Sequence, residues 1–406
     1  MSLMRKSLMT NDSSWREQFL AIDSLLMQTR QYWQILPFSY LALPWLENQK
    51  LNQALSMLSL QDIDEIDINN KQLRQFVGSL INVDLDIIDD LPDLAISAAD
   101  VSPHFSAGIK GRKWAQIQQF AALIPPQSSP ILEWCAGKGH LGRLLAHQQV
   151  RNVLSLEWQS QLCEQGNALA NKHQVSQRVE QVDVFASDVE NLVESKYHAV
   201  ALHACGDLHV RLLKLGVQQE VSRLSLAPCC YHLIQTQRYV PLSKFGLQSH
   251  LSLSKQDLSL SMQQSVVSGA REQRHRITEV SWRLAFDLVQ REVRNIDEYL
   301  PLPSIKQSML AGSFSAFCVW AAAQKNLALP GNLDYDAYEL SGRERFLITR
   351  RIEVVTHAFR QLLERWLLLD RVLFLKEYNY DVSLFNFCAP SMTPRNAMIQ
   401  AIKKPT

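Results

Sequence analysis

The chain has almost no net charge: across 406 residues, 41 lysines and arginines face 40 aspartates and glutamates, a balance of +1. That excludes both a basic coat along a long nucleic-acid footprint and an acidic, solvating chain. Long apolar runs are missing too. The most apolar stretch, Ala316 to Ala323, is far shorter than the roughly 20 residues a bilayer requires. There is no signal-peptide layout, because polar Thr10-Asn-Asp-Ser-Ser14 stands where an apolar core would have to follow Met1-Ser-Leu-Met-Arg-Lys6. The seven cysteines are odd in number and lack small-scaffold spacing, so no disulfide framework is expected, and the chain reads as cytoplasmic with reduced thiols. Internal repeats and low-complexity tracts are absent.

What is present is a change of rhythm. From Trp15 to about Ile96, apolar residues recur three and four apart, which predicts helices punctuated by Pro37, Pro44 and Pro92. A further helix is expected over Arg112–Leu123, ahead of Pro125-Pro126. Short apolar runs then alternate with helical ones: Ile131–Trp134, Val153–Glu157, Arg178–Phe185, Ala199–His203 and Arg223–Ala227. This alternation predicts an α/β fold, a parallel sheet covered by helices on both faces, with ligands at the carboxyl ends of its strands. Residues 233 to 370 read as mostly helical, and two last strands are expected at Arg371–Glu377 and Val382–Cys388, paired as a hairpin across Tyr-Asn-Tyr-Asp. The expected organisation is an N-terminal helical region (1–97), a core (98–232), a helical insertion (233–370) and a C-terminal hairpin (371–406) completing the sheet.

After the first of these strands comes Glu133-Trp-Cys-Ala-Gly137-Lys-Gly139. Gly137 and Gly139 let the backbone approach a ligand where a Cβ would collide. A Walker loop fails here, since glycine follows Lys138 where serine or threonine is needed. A dinucleotide turn fits poorly, because Glu133 beside the turn would repel a pyrophosphate. The same carboxylate suits a ligand that carries an ammonium group.

The stretch resembles motif I of the class I S-adenosylmethionine-dependent methyltransferases, with Cys135 where the first glycine normally falls. A small thiol is tolerated there if its φ stays negative. The resemblance implies a Rossmann-like seven-stranded sheet, S-adenosyl-L-methionine as cofactor, and two more acids in sequence order. Glu157 would take both ribose hydroxyls, and Asp183 the adenine amino group, with Val184 and Phe185 covering the ring. Ala136, Trp158 and His203 join the expected cofactor site. His203-Ala-Cys-Gly-Asp207-Leu-His209 and Ala227-Pro-Cys-Cys-Tyr-His232 are similar to motifs of a narrower subgroup of these enzymes. That subgroup includes glutathione S-transferase C-terminal-domain-containing proteins, methyltransferase-like proteins and, more distantly, a eukaryotic tRNA ribose methyltransferase. Leu367–Glu377 and Thr393-Pro-Arg-Asn396 fit it as well; the likeness covers roughly 100 to 235 and 367 to 400.

Methyl transfer is an in-line displacement, so the protein must align an acceptor and, for a hydroxyl, remove its proton. Asp207 or His232 could serve as that base; Cys229 is the alternative, as a covalent nucleophile. Cys230, Tyr231, Arg112 and Lys113 are the expected acceptor contacts, the two cations suiting a phosphate or the methionine carboxylate. His203, Cys205, Cys229, Cys230 and His232 are of zinc-ligand type, but adjacent cysteines cannot easily share a tetrahedral ion, so no metal is expected. RNA is the expected acceptor, from the tRNA-modifying relative and from local basic clusters such as Lys110-Gly-Arg-Lys113. A protein acceptor and a non-reacting, cofactor-holding scaffold are the open alternatives.

Overall fold

Ile131–Trp134 is buried at every position, as a strand covered on both faces must be, and it forms strand β1. Six more strands join it in the computed structural model, which describes residues 12–94, 96, 101–263 and 270–405. They are β2 (Val153–Glu157), β3 (Gln177–Gln181), β4 (His198–Cys205), β5 (Arg223–Cys229), β6 (Tyr380–Asn386) and β7 (Ala397–Lys403). Their order is β3-β2-β1-β4-β5-β7-β6, parallel from β3 to β5, with β7 antiparallel to both neighbours. The expected α/β sheet and the helical excursion between fifth and sixth strands are therefore present. Strand order reverses between β1 and β4, which opens a crevice at their carboxyl ends. The Met1–Lys6 stretch and the expected boundary at 97/98 lie outside the described residues.

Alternate residues of β1 serve opposite faces of the sheet. Ile131 joins a core with Phe120, Leu144, Val200, Phe385 and Met398, beneath the helices Gly111–Ala122 and His140–Gln149. Trp134 turns the other way, and its indole Nε1 donates to the Leu208 carbonyl at 2.9 Å in the helix Asp207–Gln218. That helix lies close on β5, since a Cβ at Gly216 would come within 2.9 Å of the Leu224 side chain.

Of the last two expected strands, Val382–Cys388 largely coincides with β6, as the sixth strand rather than the seventh, whereas the one expected at Arg371–Glu377 is not a strand. Residues 371–377 belong to the helix Arg360–Glu377. No helix breaker occurs before Asn379, which turns the chain at φ 65°, and a short apolar run does not by itself distinguish helix from strand. Polar contacts fix the choice. Asp370, fully buried, accepts from the Tyr239 hydroxyl at 2.6 Å, from the Leu242 and Ser243 amides at 2.9 Å and from the Ser243 hydroxyl at 2.7 Å. Arg371 donates from Nε to His209 Nε2 at 2.9 Å and to the Leu367 carbonyl at 2.6 Å. Strand β6 then begins at Tyr380, and its partner β7 follows the connection 387–396, not a four-residue turn.

The chain divides into two compact units. The first, Met1–Gln28, Ile87–Gln263 and Leu362–Thr406, contains the sheet; the second is Thr29–Asp86 and Gln264–Gln361. The expected blocks 1–97 and 233–370 thus do not stand alone, because parts of both form the second unit. Its helices are tied by buried charge: Asp67 accepts from Arg360 and His357 at 2.9 Å each, and Asp287 pairs with Arg345 at 2.6 Å and Arg291 at 2.8 Å. Trp282, Phe286, Phe314 and Phe317 form its aromatic core. Among the described residues, no helix is long and apolar enough to cross a membrane.

Because Asp370 satisfies several buried donors at once, Asp370→Ala strands them all, at about 1–3 kcal/mol for each group left unpaired. Urea denaturation should show a loss of about 3 kcal/mol or more. A loss under about 1 kcal/mol would mean that these bonds do not hold the helix Arg360–Glu377 in place.

Candidate functional site

The site is built on the carboxyl rim of the sheet, where β1, β4 and β5 each give way to left-handed backbone. Cys135 follows β1 at φ 55°, His203 and Gly206 fall in and after β4 at 60° and 53°, and Cys230 follows β5 at 48°. The expectation that Cys135 keeps a negative φ is corrected: it adopts the conformation a glycine would have taken. The reason is local. Ala136 must turn back so that its amide donates to the Leu156 carbonyl of β2 at 2.9 Å, and non-glycine residues held this way cost on the order of 1 kcal/mol or more. Gly206 has no such latitude, since a Cβ there would lie 2.0 Å from the Leu233 carbonyl oxygen.

Between the ends of β1, β2 and β3 lies a cavity of about 450 Å³, walled by Cys135, Glu157, Trp158, Asp183, Val184, Phe185 and Leu208. The Glu157 carboxylate is held at both oxygens, one accepting from the Gly137 amide at 2.9 Å and the other from the Gln159 amide at 3.1 Å. Asp183 lies two residues beyond β3 and accepts from the Phe185 amide at 2.9 Å. Trp158 and Phe185 are solvent-exposed, ready to cover a flat ring. At Gly137 (φ 59°) a Cβ would meet nothing within 4 Å, so the turn leaves open space beside Glu157. Apolar walls, an acid at each of two strand ends and an open glycine turn fit a nucleoside with ribose hydroxyls and an amino group.

Glu133 does not line this cavity. Its side chain is buried beneath the turn, accepting from the Ser155 hydroxyl of β2 at 2.6 Å. A Cβ at Gly142 would come within 2.4 Å of its carboxylate, so the helix His140–Gln149 packs directly on it. Burial pushes the Glu133 carboxyl up to about 7, against the bonds from Ser155 and the Gly142 amide and the pull of Arg143 and Lys113. It is a fastener of β1, β2 and the following helix, not an anionic tip in the pocket. Gly139 serves the same joint: at φ 63° it starts the helix, and a Cβ would clash with Gln177 at 2.4 Å.

The fourth and fifth strand ends bring a second group together. The Cys205 and Cys229 sulfurs are 3.5 Å apart, and Cys205, Cys229 and Cys230 all lie within 4.8 Å of one another. The hydrogen bond from Cys229, with that from Cys230 and the Arg395 charge, overcomes burial and pulls the Cys205 thiol down to about 6. The bond to Cys205, added to burial, pushes Cys229 well up. The two sulfurs thus share one hydrogen bond that favours a thiolate on one member of the pair.

Other expectations divide. His203 bonds through Nε2 to Gln116 Oε1 at 2.8 Å, and burial, with Arg395 and Lys113, lowers its pKa to about 4. Asp207 heads its helix and accepts from the Gln235 amide at 2.7 Å. His232 is half-buried with Nδ1 unpartnered among the described residues. Tyr231 is misplaced as an acceptor contact. It is in the interior, edge-on to His209, with the Arg371 guanidinium 5.0 Å above its ring. Arg112 and Lys113 are exposed in the first turn of the helix Gly111–Ala122. Arg395 was missed as a site residue. It acts electrostatically on His203, Cys205, Cys230 and His232, and its only sequence signal is the motif Thr393-Pro-Arg-Asn396.

Residues 112–237 match the family model of a methyltransferase domain. The glutathione S-transferase C-terminal domain-containing protein of Mus musculus is 28% identical over 127 residues, which are 30% of this chain and 19% of that protein. The match thus spans about a fifth of the relative's length. Among solved structures, the Pyrococcus abyssi tRNA (uracil-54, C5)-methyltransferase bound to S-adenosyl-L-homocysteine is 18% identical over 28% of each chain, with a TM-score of 0.23. The geranyl diphosphate C-methyltransferase of Streptomyces coelicolor A3(2) is 10% identical over 38% of this chain and 63% of its own, with a TM-score of 0.25. Those acceptors belong to those proteins.

The buried Glu133 yields a signed pH dependence. Its folded pKa lies above the ordinary carboxyl value, so its contribution is fully present below about 4.5 and is lost as pH rises through about 7. Over that window Glu133→Gln should gain on the natural protein by up to roughly 3 kcal/mol in denaturant titrations. A stability difference that does not change between acidic and mildly alkaline pH would contradict the burial argument.

Proposed function

We propose that this protein is an S-adenosylmethionine-dependent methyltransferase whose acceptor is RNA, a reading supported by the methyltransferase-domain match of residues 112–237 and by the seven-stranded sheet order. The observation that carries the proposal is the pairing of Glu157 and Asp183 across one cavity beside an open glycine turn. In this reading Glu157 takes the ribose hydroxyls, its carboxylate already aimed by two backbone amides, and Asp183 takes the adenine amino group. Trp158, Val184 and Phe185 cover the base, and the turn at Gly137 leaves room for the methionine end. S-adenosylmethionine supplies an activated methyl group. The chain supplies binding and alignment, with His232 and Asp207 as the candidate proton acceptors next to the rim.

RNA is favoured by cations near that rim. Lys110, Arg112 and Lys113 are exposed at the start of their helix, and the Nε of Arg395 is buried with no hydrogen-bond partner among the described residues. Phosphate contacts of this kind give affinity that falls steeply with salt. Seven unpaired cysteines suit a cytoplasmic enzyme.

Calorimetry with S-adenosylhomocysteine tests the cofactor reading. Glu157→Ala should weaken binding by about 2 kcal/mol, roughly thirtyfold, because a charge-assisted pair of hydrogen bonds is lost; unchanged affinity in a folded variant would overturn it. Labelled-methyl transfer to cellular RNA and protein then tests the acceptor, with His232→Ala expected to bind the cofactor and lose transfer. Label on protein alone removes RNA as acceptor, and binding without transfer to either leaves a scaffold.

A further inference from the structure

The thiols at the ends of β4 and β5 do more than the proposed reaction asks of them. An extended strand sends successive side chains to opposite faces, so two neighbouring cysteines there would point apart. Cys229 is the last residue of β5, but Cys230 is left-handed, at φ 48°, and that conformation breaks the alternation. Both thiols reach one spot, where Cys205, in register with Cys229 on the adjacent strand, brings the third. The sequence-level objection to a shared ion therefore does not apply to this backbone.

We propose that Cys205, Cys229 and Cys230 form a tris-thiolate site for a thiophilic divalent cation, zinc, at the carboxyl ends of β4 and β5. Distances carry it. A Zn–S bond of about 2.3 Å in tetrahedral geometry sets neighbouring sulfurs roughly 3.8 Å apart. Here two are 3.5 Å apart and all three lie within 4.8 Å, so an ion is accommodated with shifts of a few tenths of an ångström to about one ångström. Cys205 and Cys230 are half-buried and Cys229 is buried, which leaves the site reachable while shielding one ligand. No fourth histidine, cysteine or carboxylate ligand atom joins the group among the described residues. With three protein ligands, the fourth coordination position is left to water, as in zinc sites that act rather than merely brace. Three thiolates around a dication leave a net negative charge, and Arg395 lies near enough to Cys205 and Cys230 to offset it. Each thiol gives up its proton to solvent on binding.

The site stands apart from the methyl-transfer reading and is testable without any acceptor. The full-length chain, reduced, is titrated with zinc against a chromophoric chelator, and with cobalt under nitrogen. One equivalent should bind with sub-micromolar affinity, and cobalt should give the sulfur charge-transfer and visible bands of a tetrahedral thiolate complex. Cys205→Ser and Cys230→Ser, checked for folding by circular dichroism, should each weaken binding at least about tenfold and shift the cobalt spectrum. Because Cys230 is not packed in the core, its variant keeps the test decisive should Cys229→Ser fail to fold. No cobalt–sulfur band in the natural chain would overturn the site, as would unaltered stoichiometry and affinity in the serine variants. S-adenosylhomocysteine binding, measured in the same variants, should persist, which separates failure of this site from failure of the cofactor reading.

Discussion

Everything at the candidate site depends on how the chain leaves the sheet. Strands β1, β4 and β5 are neighbours, and each ends in left-handed backbone within a few residues of the same rim. Only glycine takes that conformation freely, yet Cys135, His203 and Cys230 hold it. Strain of that kind persists only where surroundings over-determine it, and it collects where a site must be shaped. Its effect here is specific. It turns the Cys135 segment away so that the Gly137 amide meets Glu157, and it swings Cys230 back toward Cys229 and Cys205.

A second layer holds the rim from beneath. Glu133, Ser155 and Gln177 join β1, β2 and β3 in one hydrogen-bonded cluster, with the helix His140–Gln149 packed on top. On the other face, Trp134 is tied to Leu208, which lines the cavity. Further along, Arg371 reaches His209, and His209 in turn bonds to the Ala204 carbonyl of β4 at 2.9 Å. The late helix Arg360–Glu377 thereby supports the same strand end that carries Cys205. Rigid elements below, strained turns above: that is the arrangement a preorganised binding site needs.

Much of this was legible in the sequence. The strand–helix alternation from 131 to 229 gave the parallel half of the sheet, and the order of Gly137, Glu157 and Asp183 pointed to the place of the cavity. What was not legible depends on tertiary contacts. Residues 371–377 alternate well enough for a strand, but the buried bonds of Asp370 and Arg371 fix them as helix. Glu133 reads as a ligand-facing acid because sequence cannot show that Ser155 and Gly142 lie against it. Tyr231 reads as an acceptor contact until Arg371 is found stacked on its ring, and Arg395 gains meaning only when the 387–396 connection returns to the rim. The second compact unit was hidden for the same reason, since its two segments are separated by residues 87–263.

The most direct measurement is a crystal structure of the chain with S-adenosylhomocysteine bound. The ribose hydroxyls are expected within hydrogen-bond reach of Glu157 and the adenine beside Asp183 under Phe185. The sulfur is expected to point toward the ends of β4 and β5. A nucleoside seated elsewhere, or one in this cavity with Glu157 touching only the Gly137 and Gln159 amides, would contradict the central claim.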